Sequence, residues 1–335
     1  LTTAQQEAVC FADSPLLILA GAGSGKTKVL THRVAYFIKN GISPENILLL
    51  TFTNKAAEEM LRRISNSKLV NGGTYHSFCA KILRRYFQEV SLDQNFVIFD
   101  TDDQTDTMKL VFHNLGIDPK TTKVSSVLGT ISSAKNELIG ASEYINYARG
   151  QYQEMVARAY LVYQQLLKKY HALDFDDLLV ETVKLLQNPI ILEKLHSIYT
   201  HILVDEYQDT NKAQFQITKL LAKKDQHLTV VGDFSQAIYS WRGADYRNML
   251  LLKQDFPDLK TVNLEQNYRS TQNILDAANN VISKNKNHPI LSLWTDKPNG
   301  SKIILFEAEN EWKEAEFITE NIEKYSDAAV LYRTN

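Results

Sequence analysis

The feature that most constrains this 335-residue chain is a junction near its start. An apolar run, Leu16 to Leu19, passes straight into Ala20-Gly21-Ala22-Gly23-Ser24-Gly25-Lys26-Thr27, and a helical pattern follows from Lys28 to Asn40. In that pattern Val29, Leu30, Arg33, Val34, Phe37 and Ile38 recur at helical spacing, and Gly41 closes it. A strand that breaks into a Gly-rich turn and restarts as a helix points backbone N–H groups and the positive end of a helix dipole at one place. Such a place holds phosphate. Lys26 reaches β- and γ-phosphates from it, and the Thr27 hydroxyl is a ligand for Mg²⁺. Ala20 stands where the strict pattern has Gly, which its relaxed form admits.

Four further apolar runs repeat the theme: Ile47 to Leu50, His201 to Val204, Leu228 to Val231 and Thr261 to Leu264. Continuous apolar strands are those covered on both faces, and their alternation with helices predicts an α/β fold with a doubly wound parallel sheet. Ligands of such sheets bind beyond the carboxyl ends of the strands. One end carries Asp205-Glu206-Tyr207-Gln208-Asp209-Thr210 and is expected beside the phosphate loop. There Asp205 is placed to hold Mg²⁺ and Glu206 to orient and deprotonate an attacking water. Another end carries Gly232-Asp233-Phe234-Ser235-Gln236, where the Gln236 amide can sense a γ-phosphate.

Large side chains sit at the same positions: Phe52 after the second run, and Tyr239, Trp241 and Arg242 after the fourth. Two readings stand, stacking platforms for unpaired bases or burial in the core. A formal charge of −2 argues against a protein that coats nucleic acid electrostatically, yet charge is unevenly spread. From Thr51 to Val90 seven basic residues, Lys68 among them, face three acidic ones; from Val90 to Pro189 thirteen acidic face nine basic. Solvated helix faces explain this as readily as a functional groove. Thr74, Tyr75 and His76 follow a predicted Gly72-Gly73 turn, and His76 has no metal-spaced partners. Cys10 and Cys79 also lack metal or redox spacing, which predicts reduced thiols in a cytoplasmic protein. With 44% hydrophobic and 23% charged residues, bulk disorder is excluded. The apolar runs are far shorter than the roughly 18 residues of a membrane span, and nothing basic precedes Leu16 as in a secretory signal.

Seven ordered segments together carry a resemblance. AGAGSGKT (Ala20 to Thr27), TFTNKAAEEM (Thr51 to Met60), GTYHSF (Gly73 to Phe78), DFDDLL (Asp174 to Leu179), VDEYQDTN (Val204 to Asn211), VGDFSQAIYSWRGA (Val231 to Ala244) and LEQNYRST (Leu264 to Thr271) resemble the UvrD/PcrA/Rep family of superfamily 1 DNA helicases. The likeness runs from LTTAQQEAV at Leu1 to AAVLYRTN ending at Asn335. It implies an ATP- and Mg²⁺-dependent 3′-to-5′ translocase on single-stranded DNA and single/double-strand junctions, acting in repair or replication.

Residue by residue, the resemblance implies that Gln5 reads the adenine and that Ala22, Gly23, Ser24, Gly25, Lys26 and Thr27 cradle the phosphates. Thr27 and Asp205 serve Mg²⁺, Glu206 is the catalytic carboxylate, Gln236 the γ-phosphate sensor, Tyr268 the adenine stack and Arg269 an arginine finger. For DNA it implies Phe52, Thr53, Asn54, Thr74, His76, Tyr239, Trp241 and Arg242. Lys28 replaces a common Arg beside the adenine, Phe234-Ser235 replaces a usually acidic pair, and Ala237 and Ser240 also depart from the pattern.

The expected architecture is a P-loop NTPase (RecA-like) motor domain at 1–85 and 190–265, with an inserted helical subdomain at 86–189. Within the insertion Tyr152, Met155, Val156, Ala159, Tyr160, Val162, Tyr163, Leu166 and Leu167 predict a helix buried on a broad face. Residues 266–335 begin a second RecA-like domain, with loops at Asn285 to Pro289 and Pro298 to Gly300. The family's later motifs have no counterpart before Asn335, and the chain begins with Leu, so an excerpt of a longer protein is expected. Two other functions stay open on the residues alone: a nucleotide-gated DNA-binding module without turnover, and a small-molecule phosphotransferase.

Overall fold

The computed structural model describes residues 1–13, 15–64, 69–222 and 227–332; Lys68 and the Arg242 side chain lie outside what is described. The chain begins α1 (Thr3–Cys10), β1 (Leu16–Ala20), α2 (Lys26–Lys39), β2 (Ile47–Thr51), α3 (Asn54–Arg63), β3 (Asn71–Thr74) and α4 (Tyr75–Arg85). Next come β4 (Val97–Ile98), α5 (Thr101–Leu115), α6 (Val124–Asn136), α7 (Ala141–Tyr144), α8 (Gln151–Lys169), β5 (Ala172–Leu173), α9 (Phe175–Leu186) and α10 (Pro189–Ile198). It continues through β6 (His201–Val204), α11 (Lys212–Leu221), β7 (His227–Gly232), α12 (Arg247–Asp255), β8 (Lys260–Leu264), α13 (Gln272–Ile282) and α14 (Glu311–Ile322). Among the described residues no helix is long and apolar enough to cross a membrane.

Six strands pair in parallel in the order β3-β2-β6-β7-β1-β8. All five apolar runs are strands. Their alternation divides two cores: Leu17, Leu19, Leu48, Leu50, Ile202, Val204, Leu228 and Val230 face one, and Leu16, Ile18, Ala20, Ile47, Leu49, Leu203 and Val231 the other. Helices α4, α9, α10, α11 and α12 cover the first through Phe78, Leu178, Leu195, Ile217 and Leu252. Helices α1, α2 and α3 cover the second through Ala8, Val29, Val34 and Met60. Each such aliphatic side chain contributes roughly 1.5–3 kcal/mol by leaving water.

Three expectations need correction. Asn71–Thr74 is no turn but edge strand β3, in register with β2 from Leu48↔Asn71 to Thr51↔Thr74; backbone pairing on the open edge of β2 overrides the low strand preference of the two glycines. The strand of Asp205 is not adjacent to that of the phosphate loop, because β7 lies between β6 and β1. Finally Tyr152, read as buried, is 43% exposed, its hydroxyl against that of Thr130 at 3.2 Å, while Val156, Tyr160, Tyr163 and Leu167 do enter the core.

That third core, with Met108, Val111, Val127 and Ile131 from α5 and α6, is separate from the sheet. Helix α9 is not part of it. Its Leu178, Leu179, Val183 and Leu186 belong to the core under the sheet. Beyond 265 the picture changes. No residue of α14 is buried, and Ile304, Leu305 and Leu331 are exposed. This part meets the strand-end loops through Leu293 over Gly21 and His288 stacked on Phe234 at 5.9 Å, and within it Gln266 bridges to Trp294.

Candidate functional site

Parallel pairing puts every strand's carboxyl end on one edge, and the loop from β1 to α2 opens there. Gly23 has φ +69, and any Cβ on it would lie 2.7 Å from Asn267 Nδ2 and 2.8 Å from Arg269 Cβ. Only glycine permits both that backbone and that approach. Ser24 is buried, with its Oγ lacking any hydrogen-bond partner. Beneath the loop Gln5 is 3% exposed; its Nε2 donates to Ser24 O at 3.0 Å and its Oε1 accepts from Thr2 N. Ala22, Gly25, Lys26 and Thr27 are half-buried, and Lys28 is exposed.

Across β7, Lys26 Nζ lies 2.9 Å from Glu206 Oε2 and 3.4 Å from Gln236 Oε1. The three side chains that sequence reasoning assigned to one reaction therefore converge. Gln236 Nε2 donates to Asp233 Oδ2 at 2.6 Å, and Gln208 Nε2 to Glu206 Oε2 at 2.8 Å, while Gln208 Oε1 accepts from Asp233 N. Glu206 itself has φ +48, a conformation disfavoured for a non-glycine residue and held by this network. Asp205 is 6% exposed with Oδ1 unpaired; burial first, then the charge of Glu206, push its carboxyl up to about 7 against the pull of Lys26. Burial and Glu206 likewise raise Asp209 to about 6, and its Oδ1 too is unpaired. The cluster is short of positive charge.

Sequence reasoning missed Asn267. It is 2% exposed, donates from Nδ2 to Ala22 O at 2.6 Å, and accepts on Oδ1 from Arg269 N and Ser270 N. With Tyr268 N donating to Gly23 O, it straps the segment after β8 onto the phosphate loop. Tyr268 and Arg269 are thereby carried to the loop, both with exposed side chains. Tyr268, Gln5, Ser24, Gln266 and Trp294 line a cavity of about 360 Å³. Its bonds to Arg269 N and Ser270 N are local, but the one that straps the loop, to Ala22 O, spans 245 residues and leaves no mark in the sequence.

Further along the edge the rings of Phe52 and Tyr239 pack with centroids 4.8 Å apart and planes tilted by 31°, both half-buried, and Trp241 is 72% exposed. The core reading of these aromatics is overturned: none is in a core cluster. Thr53 caps α3 by accepting from Ala56 N, Asn54 is exposed in its first turn, and Thr74 caps α4 by accepting from Ser77 N. His76 meets Phe175 edge-on at 6.0 Å, and burial lowers its pKa, so it is neutral at pH 7. Phe175 is another partner not foreseen. The basic stretch, in contrast, is no single strip. Arg84 and Arg85 lie at the far end of α4, about 16 Å from Thr74, over the rings of Phe96 and Tyr86.

A parallel sheet with a Gly-rich loop after β1, its lysine meeting a carboxylate from the strand beyond the neighbouring one, defines a P-loop nucleoside-triphosphatase core of RecA-like type. Comparison with known proteins narrows this. The UvrD/REP helicase N-terminal domain matches residues 1–257, and the UvrD-like helicase C-terminal domain matches residues 262–335. The chain belongs to the UvrD/REP helicase family. It is 47% identical over 351 positions to the ATP-dependent DNA helicase PcrA of Bacillus subtilis (strain 168), covering 100% of this chain and 47% of that protein. To PcrA of Staphylococcus aureus (strain Mu50) it is 46% identical over 349 positions, covering 100% and 48%. The chain thus spans about half the length of the relatives it matches.

Proposed function

We propose that the chain is the N-terminal part of an ATP-dependent 3′-to-5′ single-stranded DNA translocase or helicase, working in the cytoplasm on strands and junctions in repair or replication. The observation that carries this reading is the convergence of Lys26, Glu206 and Gln236 on the strand-end edge that also bears Phe52, Tyr239 and Trp241. Glu206 holds Lys26 at 2.9 Å. A triphosphate gives Lys26 a stronger partner and leaves the Glu206 carboxylate to orient and deprotonate water. Gln236, between Lys26 and Asp233, senses whether a γ-phosphate is present. Gln5, Lys28 and Tyr268 bind the base, the backbone of Ala22 to Thr27 holds the phosphates, and Arg269 neutralises transition-state charge.

The donors fit Mg²⁺: a buried, unpaired Asp205 oxygen whose carboxyl resists ionisation is a group that a divalent cation satisfies. Thr27 and Asp205 would hold it, and once bound it would polarise the phosphates. Phe52, Thr53, Asn54, Thr74, His76, Tyr239, Trp241 and Arg242 take the DNA, with bases stacking on the aromatics. In this reading 1–85 and 190–265 are the first motor domain, 86–189 the insertion and 266 onward the start of the second motor. The packing of α9 supports moving the insertion's second boundary back to near 174.

The exposed apolar segments beyond 300 favour a second reading for this length of chain, nucleotide-gated DNA binding without turnover. Steady-state ATP hydrolysis with and without single-stranded DNA decides. Turnover raised by DNA supports the motor; DNA binding with hydrolysis near zero supports the second reading; turnover indifferent to DNA removes both.

A further inference from the structure

The helical insertion reaches the strand-end edge through the end of α6, where Lys135, Asn136 and the following Glu137 contact three different partners. Lys135 is 1% exposed and lies 2.6 Å from Asp174 and 2.8 Å from Asp177, which cap α9. Burial opposes its charge, but the two carboxylates outweigh burial and keep it protonated. Tyr163 and Gln164 donate to the same pair of carboxylates, so the end of α6 is fastened to α8 and α9. Glu137 pairs with Lys212 at 3.3 Å, an exposed contact of little weight.

Asn136, between them, is 7% exposed, and its Oδ1 accepts from Asn211 Nδ2 at 2.6 Å. The assignment is forced, because Asn211 Oδ1 is already used as the cap of α11, accepting from Gln214 N. Asn211 ends the segment that starts at Asp205 and Glu206. On its other side Asn136 faces Gly243, where φ is +81 and a Cβ would come within 3.3 Å of Asn136 Cβ. Gly243 ends the turn that bears Tyr239 and Trp241. Just past that turn Asp245 N and Asn248 Nδ2 donate to Thr210 O, so the carboxylate segment also holds the chain that follows Gly243.

We propose that Asn136 is a positioning residue that couples the aromatic turn at 239–243 to the carboxylate segment at 205–211, so that DNA on the first accelerates hydrolysis at the second. It touches neither nucleotide nor reacting atoms. A shift of the aromatic turn against Gly243 meets a side chain that cannot yield, because Lys135 anchors its helix, and is passed to Asn211. The proposal rests on the motor reading above.

The test is ATP hydrolysis by the full-length protein, with and without single-stranded DNA. Asn136→Ala is expected to keep its DNA-free rate and its KM for ATP, and to lose about tenfold of the DNA stimulation, the size one buried hydrogen bond supports. Asn136→Asp, which still offers an oxygen to Asn211, restores most of it. Asn211→Ser keeps the helix cap and loses the contact, so it reproduces the loss, and the double variant adds nothing further. It also serves if Asn136→Ala does not fold. Full stimulation in Asn136→Ala, or equal loss of basal and stimulated rates in all variants, overturns the proposal. A wild-type protein with no stimulation overturns the motor reading along with it.

Discussion

Strands β6 and β7 are each only four to six residues long, yet their two ends are built on opposite electrostatics. At the carboxyl end, Asp205, Glu206, Asp209 and Asp233 gather around one Lys26, and oxygens of Asp205 and Asp209 are left unpaired. At the amino end stand His201 and His227, stacked at 4.4 Å, beside Arg33, which is fully buried. Among the described residues no carboxylate pairs with Arg33. Its Nη1 instead donates to the carbonyls of Ala8, Val9 and Phe11 at the end of α1, and its Nε to Thr229 Oγ1. A cation at a helix C-terminus satisfies orphan carbonyls and opposes the negative end of the dipole. Apart from Arg33 Nη2, which is buried without a partner, one end closes its polar groups on one another, while the other leaves carboxylate oxygens open beside Lys26, which separates an end built for stability from one built for chemistry.

The largest effect expected from this contrast is at the carboxyl end. Lys26→Ala should lower ATP turnover by about 10³-fold, the scale of losing a preorganised charge on the transition state, while the urea unfolding midpoint stays near wild type. Glu206 keeps Gln208 and is partly exposed, so little stability depends on the lysine. A large drop in stability would mean that the lysine is structural and that the contrast between the ends is wrong.

Arg33→Met reverses the pattern. Three carbonyls and a hydroxyl lose their donor inside the protein, a loss of about 3 kcal/mol in stability, read by urea or thermal unfolding. Because Arg33 holds α1, and α1 carries Gln5 to Ser24 O, KM for ATP should rise with kcat little changed. A stable Arg33→Met would show that α1 is held by its apolar face alone.

What was legible in the sequence follows the same division. Strands β1, β2, β6 and β7 announce themselves because burial on both faces demands largely apolar residues, and edge strand β8 by Val262 and Leu264 on its one buried face. Lys26, Asp205, Glu206 and Gln236 were legible because chemistry confines them to strand ends. Edge strand β3 was not, since Asn71-Gly72-Gly73-Thr74 pairs by backbone alone. Nor were the roles of Asn267 and Asn136, and of Arg33 only its place in the apolar pattern of α2 was legible. An amide or guanidinium acquires its role from carbonyls and amides brought up by the fold. The helix α9 was assigned to the insertion by position, whereas its apolar face fits the sheet.

The smallest expected effect is a pH dependence, and its sign tells the two ends apart. Burial, then His227 and Arg33, lowers His201 from 6.5 to about 4; Phe37 packs on its ring and Thr200 Oγ1 bonds its Nδ1. Its folded pKa lies below its unfolded one. Between those values the unfolded chain binds the extra proton, so stability falls as pH falls, by about 1 kcal/mol from pH 7 to pH 5 once solvent screening is allowed for. Raised carboxyls at the other end act in the opposite sense, gaining stability as they protonate. Comparing urea midpoints of wild type and His201→Asn at both pH values cancels the carboxyl contribution and leaves the histidine's. The variant should lose less than wild type on acidification; an equal loss would mean that the imidazole is not held neutral, and that the amino end is no more closed than the carboxyl end.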